Sequence, residues 1–239
     1  MLKWKKDKRI KGGEIEVSNL NKLLNESYKK KKDTSSNIDN RFILDENLST
    51  DKTKVYLDNK TGDIKMVNRG TSDFKDVFTD AKLLMGFKDK SRFNEARGIL
   101  NEIKNKYPQK SIDVYGHSLG ASVAEDLGKD ERIKNVITLN KPTTPKDLLY
   151  KSKQSGKQYD IRTTGDLISI LNPLQQSTND IIIPSETKNP YTEHKIETLS
   201  RLPQDQIIGT GMNYLEKYIY DLIINELKNL YYNNIKDVL

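Results

Sequence analysis

The stretch Ser111-Ile112-Asp113-Val114-Tyr115-Gly116-His117-Ser118-Leu119-Gly120-Ala121-Ser122-Val123-Ala124-Glu125-Asp126-Leu127 decides the fold. Residues 111–115 have the alternation of a short buried strand, and residues 121–127 have the composition of a helix. Between them, Gly116 to Gly120 predict a sharp strand-to-helix turn that carries a serine. Each glycine has a mechanical reason: the turn brings strand and helix backbones together, and a side chain at Gly116 or Gly120 would collide with the neighbouring element. Such a turn projects the Ser118 hydroxyl clear of the sheet. It also leaves the Leu119 amide at a helix N-terminus, facing the oxyanion of an acyl transfer. The plainer reading is a glycine-rich turn with a capping serine. What separates the two readings is the rest of the chain.

Upstream, residues 53–57 and 64–67 flank the turn Asp58-Asn59-Lys60-Thr61-Gly62, which is a β-hairpin by turn chemistry and alternation. The second strand ends in Asn68-Arg69-Gly70-Thr71. Gly70 permits a sharp exit and leaves the Thr71 amide free, at the place in chain order where a hydrolase takes its second oxyanion donor. Standing alone, this segment reads as an ordinary strand-ending turn. An amphipathic run over residues 74–87 and a helix over about 92–106 then lead to the serine turn.

Downstream, residues 136–139 read as a buried strand, 145–150 as a short helix and 159–162 as another strand. That last strand runs into Thr163-Thr164-Gly165-Asp166. An acid just past the carboxyl end of a parallel strand sits where α/β sheets place their ligands. Asp166 is therefore the candidate acid that orients a histidine, and its plainer reading is a turn or capping aspartate. The chain has two histidines. His117 lies inside the serine turn, so His194 is the other imidazole open to the role of general base. The order Ser118, Asp166, His194 is the order that the α/β-hydrolase architecture uses. Alternating strands and helices argue for an α/β fold with a mainly parallel sheet, helices on both faces and the β-hairpin preceding it.

Composition narrows the remaining choices. With 239 residues and a formal net charge of +7, one α/β domain over residues 41–239 is expected, including an amphipathic C-terminal helix at about 212–231. Residues 1–40 are polar and Lys-rich, with a short helix near Leu20-Asn21-Lys22-Leu23-Leu24, and they read as a basic arm or cover outside the core. The arm and the run Lys29-Lys30-Lys31-Lys32 read either as a solvated surface or as a patch drawn by non-specific attraction to anionic membrane or to nucleic acid, which no sequence feature separates. No specific nucleic-acid binding is expected, and oligomeric state is not legible. The absence of cysteine excludes a disulfide framework and thiolate metal sites. The histidines and carboxylates show no metal-ligand spacing, so no metal is expected. Neither a signal peptide nor a membrane-spanning run is read, and a soluble protein, intracellular or virion-associated, is expected.

The segments Arg69-Gly70-Thr71, Gly116-His117-Ser118-Leu119-Gly120, Gly165-Asp166-Leu167-Ile168 and His194 together resemble the class 3 lipase family of α/β-hydrolases. The resemblance covers roughly residues 55–200. It implies hydrolysis of lipid esters without a cofactor: Ser118 as nucleophile, His194 as acid and base, Asp166 as its orienter, and the amides of Thr71 and Leu119 as the oxyanion hole. Two stretches are compact relative to the family, 71–118 and 166–194, and residues 73–87 stand where the family carries its lid. The compact form and the Lys-, Asn- and Ile-rich composition also look like lipase-like proteins of large DNA viruses and their satellites. Two alternatives stay open at the level of sequence. One is a non-catalytic scaffold or binding protein retaining the fold, and the other is serine chemistry on thioesters or peptides.

Overall fold

The computed structural model describes residues 14–71, 90–143, 157–169 and 180–208. Among these residues, eight strands form one sheet: β2 (Asn37–Ile38), β3 (Phe42–Leu44), β4 (Thr53–Asp58), β5 (Ile64–Asn68), β6 (Ile112–His117), β7 (Ile133–Leu139), β8 (Lys157–Thr163) and β9 (Asp180–Ile183), side by side in that order. The pairs from β2 to β5 are antiparallel, and those from β5 to β9 are parallel. A separate two-stranded antiparallel pair joins β1 (Ile15–Glu16) to β10 (Ile207–Ile208). The mainly parallel α/β sheet expected from the sequence is borne out. The hairpin β4–β5 is part of that sheet, supplying the antiparallel edge on which the parallel strands are built.

Period-two alternation explains why both faces need cover. Met66 of β5 joins a core with helix α2 (Lys90–Lys106) and helix α3 (Leu119–Leu127), through Phe93, Ala96, Ile99, Val123 and Ala124. Its neighbour Val67 joins the opposite core, with Leu20, Leu23 and Leu24 of helix α1 (Val17–Ser27) and with Ile196 and Leu199. Residues 196–201 form a short 3-10 segment, preceded by the one-turn helix α4 (Pro190–Glu193).

This corrects the reading of residues 14–40 as a cover outside the core. Leu20 and Leu23 are fully buried and Leu24 nearly so, and burying each such side chain contributes about 1.5–3 kcal/mol. The Lys and Asn residues between them lowered the apparent hydrophobicity of the segment, while the leucines kept helical spacing on one face. Residues 1–13 of the arm predicted over 1–40, the amphipathic run at 74–87, the helix at 145–150 and the C-terminal helix at 212–231 lie outside the described residues. All described residues fall in one compact unit, Met1–Gly209. No helix among them is long and apolar enough to cross a membrane.

Several charged and polar side chains of the sheet are buried. Lys65 and Asp113 are both fully buried and paired at 2.5 Å, Asn135 donates to the other oxygen of Asp113, and Arg41 forks onto Asp58 at 2.9 Å. A buried charge of this kind is tolerated because its partner and added hydrogen bonds satisfy it.

Candidate active site

Ser118 stands between β6 and α3 with φ 55° and ψ −129°, a conformation that non-glycine residues rarely adopt. Strain of this kind, of order 1–3 kcal/mol, persists only where surrounding structure enforces it. The two flanking glycines supply the enforcement. A Cβ on Gly116 would lie 2.1 Å from the carbonyl oxygen of Gly120, and one on Gly120 would lie 2.1 Å from that of Asn68. The Ser118 amide donates to the Leu139 carbonyl at 3.0 Å, which fixes the turn to β7. Ser118 is fully buried, and its hydroxyl has no hydrogen-bond partner among the described residues. The Leu119 amide begins α3, and no side chain caps that helix.

Gly70 packs directly on this turn. A Cβ there would meet the Cβ of Ser118 at 2.8 Å and the carbonyl oxygen of His117 at 3.0 Å, so the loop after β5 lies against the serine. Arg69 braces the loop from outside, donating to the carbonyls of Asp51 at 2.8 Å and Gly70 at 3.1 Å. Arg92 of α2 reaches the carbonyl of Arg69 at 3.0 Å. Thr71 follows Gly70, and its amide donates no hydrogen bond among the described residues.

The structure brings Asp166 and His194 together. His194 Nδ1 lies 2.9 Å from Asp166 Oδ1, with both residues fully buried. The same carboxylate accepts the Ile168 amide at 3.1 Å and the Ser169 hydroxyl at 2.6 Å. Ionised Asp166 can only accept, so Nδ1 of a neutral His194 carries the proton and Nε2 holds the lone pair. The His194 ring in turn lies beside His117, with ring centroids 5.1 Å apart. His117 Nε2 donates to the His194 carbonyl at 2.7 Å. The serine turn and the histidine loop are thus joined through His117.

Three features that hold this half of the site were not read from the sequence. Asn140, just past β7, takes a left-handed φ of 49°. Its side chain accepts the Thr163 amide at 2.9 Å and donates to the Glu193 carbonyl at 3.0 Å, tying the acid's strand to the residue before His194. Asparagine tolerates this backbone region, which was the available signal. The Glu193 side chain is buried and bonded to Arg201 at 2.5 Å and to Thr187 at 2.7 Å. The Arg201 bond and those from Thr187 hold its carboxyl down to about 2. Tyr28, at the end of α1, places its hydroxyl 2.6 Å from His117 Nδ1 and accepts the Gly70 amide at 3.0 Å. Burial pushes the tyrosine well above its ordinary pKa. His117 is pushed down to about 3, chiefly by burial and then by the neighbouring His194, so it stays neutral.

Among the described residues, no group of three histidine or carboxylate side chains is arranged to hold a metal ion. No protein-family model matches the chain, and no curated protein matches it in sequence. Solved structures do. The native propeptide complex of the lipase from Rhizomucor miehei shares 16% identity at a TM-score of 0.51, over 70% of this chain and 67% of that one. A deletion mutant of the same complex shares 14% identity at a TM-score of 0.51, over 80% of each chain. The Lip2 lipase from Yarrowia lipolytica shares 20% identity at a TM-score of 0.49, over 70% of this chain and 79% of that one. Likeness at this level concerns the fold, and the expected resemblance to lipases of α/β-hydrolase fold is borne out on that footing.

Proposed function

We propose that the chain is a serine hydrolase that cleaves carboxylic esters of lipids, as a lipase or phospholipase, through an acyl-enzyme. The observation that carries this reading is the juxtaposition at the serine turn. A strained, buried Ser118 without a described partner directly follows His117, whose ring bonds the carbonyl of His194, and His194 Nδ1 is in turn bonded to a buried carboxylate. In the proposed reaction Ser118 Oγ attacks the ester carbonyl while His194 Nε2 takes its proton. Asp166 holds the Nδ1–H tautomer and stabilises the imidazolium that forms. The amides of Thr71 and Leu119 donate to the oxyanion, and removing one such donor typically costs about 10²–10³ in kcat. His194 then protonates the leaving alcohol, and water repeats the sequence to release the acid. Ser118 and His194 are both closed off from solvent, so an ester reaches them only after the site opens.

An ester panel of varied acyl length, with phospholipid vesicles of varied charge, tests the reading. Wild type is expected to hydrolyse members of the panel, and Ser118→Ala to lose that activity with its melting temperature preserved. Full activity in Ser118→Ala would overturn the proposal. Preference for anionic vesicles would support contact of Lys29–Lys32 or residues 1–13 with a charged lipid surface.

A further inference from the structure

Tyr28 is 42 positions from Gly70 and 89 from His117 in the chain, yet its single hydroxyl bonds to both. The direction of each bond follows from chemistry. The His194 carbonyl can only accept, so His117 Nε2 carries the proton. Nδ1 of the neutral ring is then an acceptor, and the Tyr28 O–H donates to it at 2.6 Å. The Gly70 amide donates to the lone pair that remains on the tyrosine oxygen, at 3.0 Å. One directed chain results: Gly70 N–H to Tyr28, Tyr28 O–H to His117, His117 N–H to the His194 carbonyl, and His194 N–H to Asp166.

We propose that Tyr28 is a positioning residue of the hydrolase. Its hydroxyl ties the His117 ring and the Gly70 amide together, and so sets the oxyanion-donor loop at Thr71 in register with the loop that carries His194. The proposal rests on Ser118 acting as the nucleophile. It gives helix α1 a role in the site besides covering the sheet. Three buried leucines dock the helix, and the docking delivers the Tyr28 hydroxyl to the point where both loops meet the serine turn. Gly70 is part of the same fit, because a Cβ there would come within 2.7 Å of the tyrosine oxygen.

Phenylalanine keeps the ring contact with His117, whose centroid lies 5.6 Å away, and removes both hydrogen bonds. Left without its partner, the Gly70 amide is a buried donor unsatisfied, and His117 Nδ1 loses the donor that anchors that side of the ring. Tyr28→Phe is therefore expected to lower kcat about tenfold to a hundredfold while KM stays within twofold. A trifluoromethyl ketone forms a tetrahedral adduct with a serine, so its inhibition constant is expected to rise by the factor that kcat falls. A structural role alone would not link those two quantities. Nitrogen NMR gives a readout independent of activity: the His194 carbonyl keeps His117 protonated at Nε2 in both proteins, and the His117 Nδ1 resonance is expected to shift in Tyr28→Phe as that lone pair loses its hydrogen bond.

A kcat within twofold of wild type in Tyr28→Phe, or a wild-type His117 protonated at Nδ1, would overturn the proposal. Loss of the hydrolase reading is distinguishable from loss of this one. In that case Ser118→Ala would keep the wild-type rate, whereas failure here leaves Ser118→Ala inactive and Tyr28→Phe unimpaired.

Discussion

The two halves of the site are held by different forces. The serine half is held by shape: Gly116 and Gly120 let backbones approach so closely that a methyl group would fall 2.1 Å from a carbonyl oxygen. The histidine half is held by polar bonds, from His194 to Asp166, from Asn140 to the Glu193 carbonyl, and from Arg201 to the Glu193 carboxylate. Shape does not titrate, and polar bonds do. The serine half should therefore fail abruptly on a change of volume, while the histidine half should weaken by degrees with acid or with loss of one partner.

The largest effect on folding is expected from Gly120→Ala. Its new methyl meets backbone atoms of Asn68 and Arg69, which cannot swing aside as a flexible side chain can. Folded protein is expected to be lost, as judged by circular dichroism and yield. A folded variant of near-normal melting temperature would break the steric half of the comparison. Asp166→Asn is expected to keep the fold and lower kcat by about 10⁴, because the amide favours the wrong His194 tautomer. Steady-state hydrolysis of a short-chain ester measures this, and a loss below tenfold would contradict the assigned role.

Smaller effects follow from the outer partners. Arg201→Leu strands the buried Glu193 carboxylate and is expected to cost roughly 3 kcal/mol in chemical denaturation. Acid acts on the same half. Glu193 is held at about 2 against an ordinary value of 4.5, so its contribution to stability is full above pH 4.5 and is lost as the pH falls toward 2. His117 is held at about 3 against 6.5, so its contribution is full above pH 6.5 and is lost as the pH falls toward 3. The loss amounts to about 1.4 kcal/mol per pH unit for one proton. His117→Gln is expected to show a shallower fall in stability than wild type between pH 6.5 and 4.5, and equal slopes would contradict a buried neutral His117.

These differences also explain what the sequence discloses. The serine turn is legible because its constraints are local: two glycines, a serine and the flanking strand and helix lie within one short stretch. Asp166 and His194 are legible through their order. Tyr28 is not, since its partners lie 42 and 89 positions away and its helix is diluted with lysine and asparagine. Asn140 sits in an ordinary strand-ending context, where only its left-handed backbone marks it. Lys65 and Asp113 are charged residues inside strand runs, and nothing local shows that they are fully buried and paired with each other across 48 positions.

The central claim is that Ser118 is a nucleophile activated by His194. Fluorophosphonate labelling in the presence of phospholipid vesicles, with the modified peptide located by mass spectrometry, tests it most directly. The account predicts one adduct, on Ser118, with labelling slowed by several orders of magnitude in His194→Ala and absent in Ser118→Ala. An adduct on another residue, or a labelling rate unchanged by His194→Ala, would contradict it.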